Sequence, residues 1–267
     1  MRTRGVRAPA ALLLLALPAA ALAYGSIDDV RFKTKGTDGN LWEPLLGGGA
    51  LVRGHERPGT IAFTFDDGPD HRTTPVLLDE LDRYGVKAAF FVSGHRFHPL
   101  TAGGAENQAV LRDMVRRGHV IGNHGFSHKD VTALDEQGWR DEVTQVELLV
   151  KTVTGRKPTL FRPPFGRLGA EARARLEAEG YTVVMWNLDP LDWQPVDARS
   201  LLDRVKKVVA ENPAGGVLLM HDTNRTVVEA FPMIMEWLAE RNAVERAAGR
   251  PGLEIAGLES YVTTKSR

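Results

Sequence analysis

Cysteine is absent from the 267-residue chain. That excludes disulfide cross-links, a thiolate metal site, a cysteine nucleophile and a lipidated N-terminal cysteine, so a metal ion could be held only by His, Asp or Glu. An excess of one charge is lacking too. Lys+Arg and Asp+Glu both number 34, and no basic field draws the protein to nucleic acid. There are no internal repeats and no low-complexity tracts. Apolar runs are short everywhere except at the start, where "MRTRGVRAPAALLLLALPAAALA" joins three arginines, an apolar core and the small-x-small triplet Ala21-Leu22-Ala23. The apolar part falls short of a spanning helix, which needs ~20 residues. Residues 1–23 therefore read as a signal peptide, cleaved on export to leave no stable membrane insertion and a periplasmic or extracellular protein. A retained anchor is the other option. Without Arg2, Arg4 and Arg7 the 34 basic residues become 31 against 34 acids, a net charge of −3.

What is present is the composition of an ordinary globular protein, 43% hydrophobic and 25% charged, with length that suits one large domain or two small ones and is ample for a core. Residues 24–57 carry turn and linker signals, "GTDGN" and "LLGGGA", and read as an N-terminal extension before a domain over 58–267. From residue 60 a rhythm sets in. Apolar runs at 60–65, 87–92, 119–123, 159–162, 181–186, 216–221 and 253–258 read as strands. Amphipathic segments between them read as helices over 73–84, 106–117, 138–154, 169–179, 198–211 and 226–242, the first opening on a Thr-Thr-Pro cap and four of them stopping at a glycine. Strands alternating with helices, without hairpin signals, predict an α/β fold with a parallel sheet. About seven units in some 200 residues fit a closed or nearly closed barrel, with a doubly wound open sheet as the alternative.

Loops after the strands of such a sheet share one face, and sites are built there. The first strand runs into "TFDDGP", with Asp66 and Asp67; the third into "NHGFSH", with His124 and His128. "RPPFG" brings Arg162 and Phe165, "NLDPLDW" brings Asp189, Asp192 and Trp193, and "LMH" ends at His221. Two imidazoles four residues apart, with a carboxylate, make a common Zn²⁺ set, and Gly125 points to a tight loop rather than a helix between them. Adjacent aspartates repel unless something stabilises them. Successive side chains at a strand end point in different directions, so one can bind a cation while the other faces a reacting water. Asp-Asp-Gly-Pro alone is also good turn chemistry. The remaining five of the eight histidines have no comparable context.

In this order the five motifs resemble the polysaccharide deacetylases, carbohydrate esterase family 4, over about residues 60–222. The resemblance implies a distorted, incomplete (β/α) barrel of about seven parallel strands. It also implies a hydrolase that removes N-acetyl groups from an acetylated polysaccharide such as chitin or peptidoglycan. An O-acetyl esterase on xylan or a similar polysaccharide is the runner-up, and a non-catalytic glycan-binding module a distant third. The implied ligands of a divalent metal, Zn²⁺ before others, are Asp67, His124 and His128. Asp66 is implied as general base, oriented by Arg162, and His221 as general acid, with Asp192 as its partner and Asp189 and Asp222 as competitors. The backbone N–H of Phe165 is the first donor after the arginine, because two prolines intervene, and is expected at the oxyanion. Trp193 and Phe165 suit sugar faces, Leu219 an acetyl methyl, and Trp186 the core. Gly125 departs from the family pattern, where Ser or Thr often follows the first histidine. Nothing in the sequence sets the oligomeric state.

Overall fold

Continuous apolar runs of four to seven residues suit strands buried on both faces of a parallel sheet. The computed structural model describes residues 51–262, and the expected signal peptide and most of the expected extension lie outside the described residues. In chain order the elements are β1 (Leu51–Val52), β2 (Thr60–Asp66), α1 (Thr74–Arg83), β3 (Ala89–Val92), α2 (Gly94–Phe97), α3 (Gly104–Arg116), β4 (Val120–Asn123) and α4 (Glu136–Trp139). A π-helical turn (Arg140–Thr144) leads into α5 (Gln145–Thr154), followed by β5 (Leu160–Phe161), α6 (Ala170–Ala178), β6 (Thr182–Val184), α7 (Ala198–Glu211), β7 (Gly215–His221), α8 (Arg225–Ala247) and β8 (Glu254–Ile255).

All strand pairs are parallel, in the order β1-β6-β5-β4-β3-β2-β7. β7 runs along the whole of β2, from Thr60↔Gly215 to Asp66↔His221, while β8 pairs only the start of β2. The sheet curls far enough that Leu188, just past β6, bridges Leu218 of β7. The result is an incomplete barrel with helices outside, as the family resemblance implies. β1 lies within the stretch read as an extension, yet it adds a strand beside β6.

Alternation along β2 sorts the side chains. Ile61, Phe63 and Phe65 join the large core beneath the helices, with Phe90, Leu218 and Phe231. Ala62 faces a smaller inner cluster with Phe91, Val184 and Tyr261. Each large apolar side chain so buried contributes about 1.5–3 kcal/mol. The same period of two puts Thr64 and Asp66 on the inner face, at the end where the strands finish.

Two local details differ from the sequence expectation. Thr73 makes no side-chain cap to α1. Instead the hydroxyl of Thr74 accepts the Asp70 N–H at 2.9 Å and donates to Asp222. The helix expected over 138–154 runs unbroken from Glu136 to Thr154 but widens into the π-helical turn, where Glu142 and Val143 are both buried.

Candidate active site

Strand ends deliver the polar side chains to one cleft of about 490 Å³, lined by Asp66, Asp67, His124, His128, Leu219 and His221 among others. Asp66 ends β2, and the chain then turns through Asp67 at φ 73. Four non-glycine residues among those described have positive φ: Asp67, His128, Phe165 and Leu191. The first three line the cleft, and the fourth sits in the loop that carries Asp192 and Trp193. Such conformations cost on the order of 1–3 kcal/mol each and persist only where the surroundings over-determine them.

Asp67, His124 and His128 offer ligand atoms that all lie within 4.8 Å of one another. Asp67 Oδ1 is 3.7 Å from His124 Nε2 and 3.6 Å from His128 Nε2. His124 Nδ1 lies 2.7 Å from the carbonyl oxygen of Arg162. A carbonyl only accepts, so Nδ1 carries the proton and Nε2 presents its lone pair to the cleft. Burial, followed by the opposed effects of Asp67 and His128, holds the His124 imidazole down to about 3, which keeps it neutral. Tetrahedral Zn²⁺ with bonds of 2.0–2.1 Å sets its ligand atoms about 3.3 Å apart. The donor set and its spacing fit such an ion.

On one side of this group stands Asp66, 2% exposed. Its Oδ1 accepts from Arg162 Nη1 at 2.8 Å. Arg162 is wholly buried and makes three further bonds, to Thr64 Oγ1 and to the carbonyls of Val184 and Met185, while its guanidinium lies 4.1 Å over the Phe91 ring. Burial raises the Asp66 carboxyl above its ordinary range, and Arg162 opposes the rise. A carboxylate anchored through one oxygen at the cleft wall is placed to accept a proton through the other.

On the other side stands His221. Its Nδ1 is 2.8 Å from Asp192 Oδ1, and its backbone N–H donates to Asp192 Oδ2 at 2.9 Å. Burial works against protonation of the ring, but the hydrogen bond and charge of Asp192, with smaller help from Asp66 and Asp67, bring it up to about 9. The two competitors bond elsewhere, although Asp189 also lines the cleft. Asp189 accepts from Leu191 N in its own turn. Asp222 is buried against Thr74, and burial pushes it up to about 7.

Phe165 and Trp193 are 60% and 61% exposed at the rim, and the Phe165 ring meets His128 edge-on at 4.5 Å. Leu219 is buried in the cleft wall. Trp186, expected in the core, packs half-buried against the inner cluster and also lines the cleft. Glu142 was missed. It is a buried carboxylate behind the His128 loop, and the signal was there: it falls three after Trp139 and four before Val146, on an otherwise apolar helical stripe. Gly125, at φ 78, takes the left-handed turn at no steric cost, and a Cβ there would meet Glu142 Oε2 at an ordinary 3.5 Å.

The family model described as polysaccharide deacetylase matches residues 53–184. The chain is 33% identical over 183 residues to a peptidoglycan-N-acetylmuramic acid deacetylase of Bacillus subtilis, covering 68% of this chain and 36% of the relative. A chitin deacetylase of Pestalotiopsis sp is 34% identical over 183 residues, covering 68% and 60%. Against a solved structure of T48 deacetylase with substrate, identity is 32% and the TM-score 0.59, covering 74% of this chain and 96% of the other. The chain thus spans between about a third and three fifths of the length of these curated relatives.

Proposed function

This chain belongs to the polysaccharide deacetylase family, and on that premise we propose that it is an exported, divalent-metal-dependent hydrolase that removes N-acetyl groups from an acetylated glycan, chitin-like or peptidoglycan. One observation carries the reading: the Asp67–His124–His128 group lies between a buried Asp66–Arg162 pair and a His221–Asp192 pair in one open cleft. Named relatives that act on peptidoglycan and chitin support the substrate class. For the address, residues 1–23 supply the basic head, apolar core and small-residue cleavage site of a signal peptide, ahead of a catalytic domain that takes in β1 (Leu51–Val52) and so begins before the expected residue 58. Among the described residues no helix is long and apolar enough to cross a membrane.

Asp67, His124 and His128 would hold the ion, Zn²⁺ by the chemistry of its donors. When bound it supplies Lewis acidity toward water and the acetyl carbonyl. Asp66 takes the proton from the attacking water, and Arg162 fixes the carboxylate through Oδ1 so that Oδ2 stays free to do so. The water oxygen bonds to the carbonyl carbon, and the Phe165 N–H donates to the oxygen that becomes negative. The C–N bond then breaks as His221 Nε2 gives its proton to the departing amine, leaving acetate and a free amino sugar. Asp192 holds the Nδ1 proton and the ring orientation throughout. Trp193 and Phe165 offer exposed faces to sugar rings, and Leu219 meets the acetyl methyl.

Acetate release from N-acetylated chitooligosaccharides and from peptidoglycan, with and without a chelator, tests the reading, with an O-acetylated xylan as the ester arm. Asp66→Asn should bind metal and not hydrolyse, whereas Asp67→Asn should lose the metal. Amide hydrolysis that survives both chelation and Asp66→Asn would sink the mechanism.

A further inference from the structure

Glu142 has a side chain only 2% exposed and takes no part in the proposed reaction. It stands on the π-helical turn and faces the loop that carries His128. Its Oε2 accepts the backbone N–H of Phe126 at 3.1 Å and of Ser127 at 2.8 Å. Its Oε1 accepts from the Ser127 hydroxyl and pairs with Lys129 Nζ at 3.3 Å. Both chain neighbours of His128 are therefore tied to one carboxylate. Asn123 adds a second tie to the same turn: its Oδ1 accepts the Gly125 N–H at 2.9 Å, and its Nδ2 donates to the Val143 carbonyl at 3.0 Å.

These ties bear on a strained residue. His128 sits at φ 60, a conformation that a β-carbon disfavours and that its surroundings must hold. His128 is also less enclosed than its partner, with a side chain 30% exposed against 3% for His124. His124 is fixed by the Arg162 carbonyl. The position of His128 depends on the loop, and the loop depends on Glu142. The wide turn makes this possible, because it buries Glu142 and Val143 together while Trp139 and Val146 keep the apolar stripe.

We infer that Glu142 is a positioning residue for His128, and that it sets how tightly the Asp67–His124–His128 group holds a divalent cation. The inference rests on the reading of that group as a metal site. A carboxylate that only stabilised the fold would move the melting temperature and leave the affinity of the folded protein alone. A carboxylate that places His128 changes the affinity itself.

Zn²⁺ alone is titrated into the full chain by calorimetry, at a temperature where far-UV circular dichroism shows each variant folded. The visible spectrum of the Co²⁺-loaded protein is recorded alongside. Glu142→Gln, which keeps the shape and loses the charge, should weaken Zn²⁺ binding about 10–100-fold and alter the Co²⁺ bands. Ser127→Ala removes one donor and no backbone contact, and should weaken binding by a smaller factor. It decides the matter if Glu142→Gln does not fold. Zn²⁺ binding by the wild-type chain with equal affinity in the folded variants overturns this inference alone. A wild-type chain that binds neither ion overturns it together with the reading beneath it.

Discussion

Asp192 holds His221 at two points, one carboxylate oxygen 2.8 Å from Nδ1 and the other accepting the His221 backbone N–H at 2.9 Å. The double grip fixes the ring plane as well as the tautomer, and it leaves Nε2 aimed at the cleft, 4.0 Å from Asp67 Oδ2. A strand-end imidazole without it would be free to rotate.

Replacing that carboxylate separates the two leaving groups. Asp192→Asn should slow amide hydrolysis by on the order of 10²–10⁴-fold, the usual worth of a positioned acid. An acetyl ester, whose alkoxide leaves with less need of a proton, should lose less. Acetate release from matched N-acetyl and O-acetyl sugars measures both, and equal losses would count against His221 as the acid.

Arg162 and Asp66 form a fully buried ion pair, so stability and rate should part company there. Arg162→Ala leaves a buried carboxylate uncompensated and should cost about 3–5 kcal/mol in urea denaturation. Combining Arg162→Met with Asp66→Asn should recover much of that stability and none of the activity. A double variant as unstable as Arg162→Ala would show that the arginine acts through its other bonds.

Trp193 is a rim residue whose removal should be felt by substrate alone. Trp193→Ala should leave stability within about 0.5 kcal/mol. It should raise KM for a long oligosaccharide about threefold to tenfold, the equivalent of an aromatic contact of ~0.5–1.5 kcal/mol. A large fall in melting temperature with KM unchanged would make it a packing residue.

His119 predicts how stability varies with pH. It is 1% exposed, and its Nδ1 accepts the Ala88 N–H at 3.2 Å. Burial, reinforced by Lys87 and partly offset by Asp82, holds it down to about 3, against 6.5 for an ordinary imidazole. Between these values the unfolded chain takes up a proton that the native chain refuses. Its contribution is therefore complete above pH 6.5 and is lost as pH falls toward 3, at about 1.4 kcal/mol per pH unit. His119→Asn keeps an acceptor for Ala88 and does not titrate, so its stability should fall less steeply over pH 6 to 4. Parallel slopes in urea would contradict this.

Local pattern carried much of the fold. The strand-helix rhythm, the glycine stops and the polar residues at strand ends are short-range features, and they suffice for a parallel sheet with a cluster at one rim, while the choice of barrel over open sheet came with the family resemblance. β1 escaped because a two-residue strand has no periodicity; only β6 beside it makes it a strand. Glu142 escaped because charge on a helix reads as solvated until a wide turn directs it inward.

By itself the sequence determined which residue types end the strands, and in what order, because alternation and turn chemistry are written in neighbouring positions. The choice among Asp189, Asp192 and Asp222 as partner of His221 belonged to the tertiary structure. The chain turns at Leu191 with φ 55, so Asp189 bonds its own loop while Asp192 reaches a ring 29 positions away. Spacing along the chain holds no record of such a meeting, because the direction of a side chain past a turn depends on what packs against it.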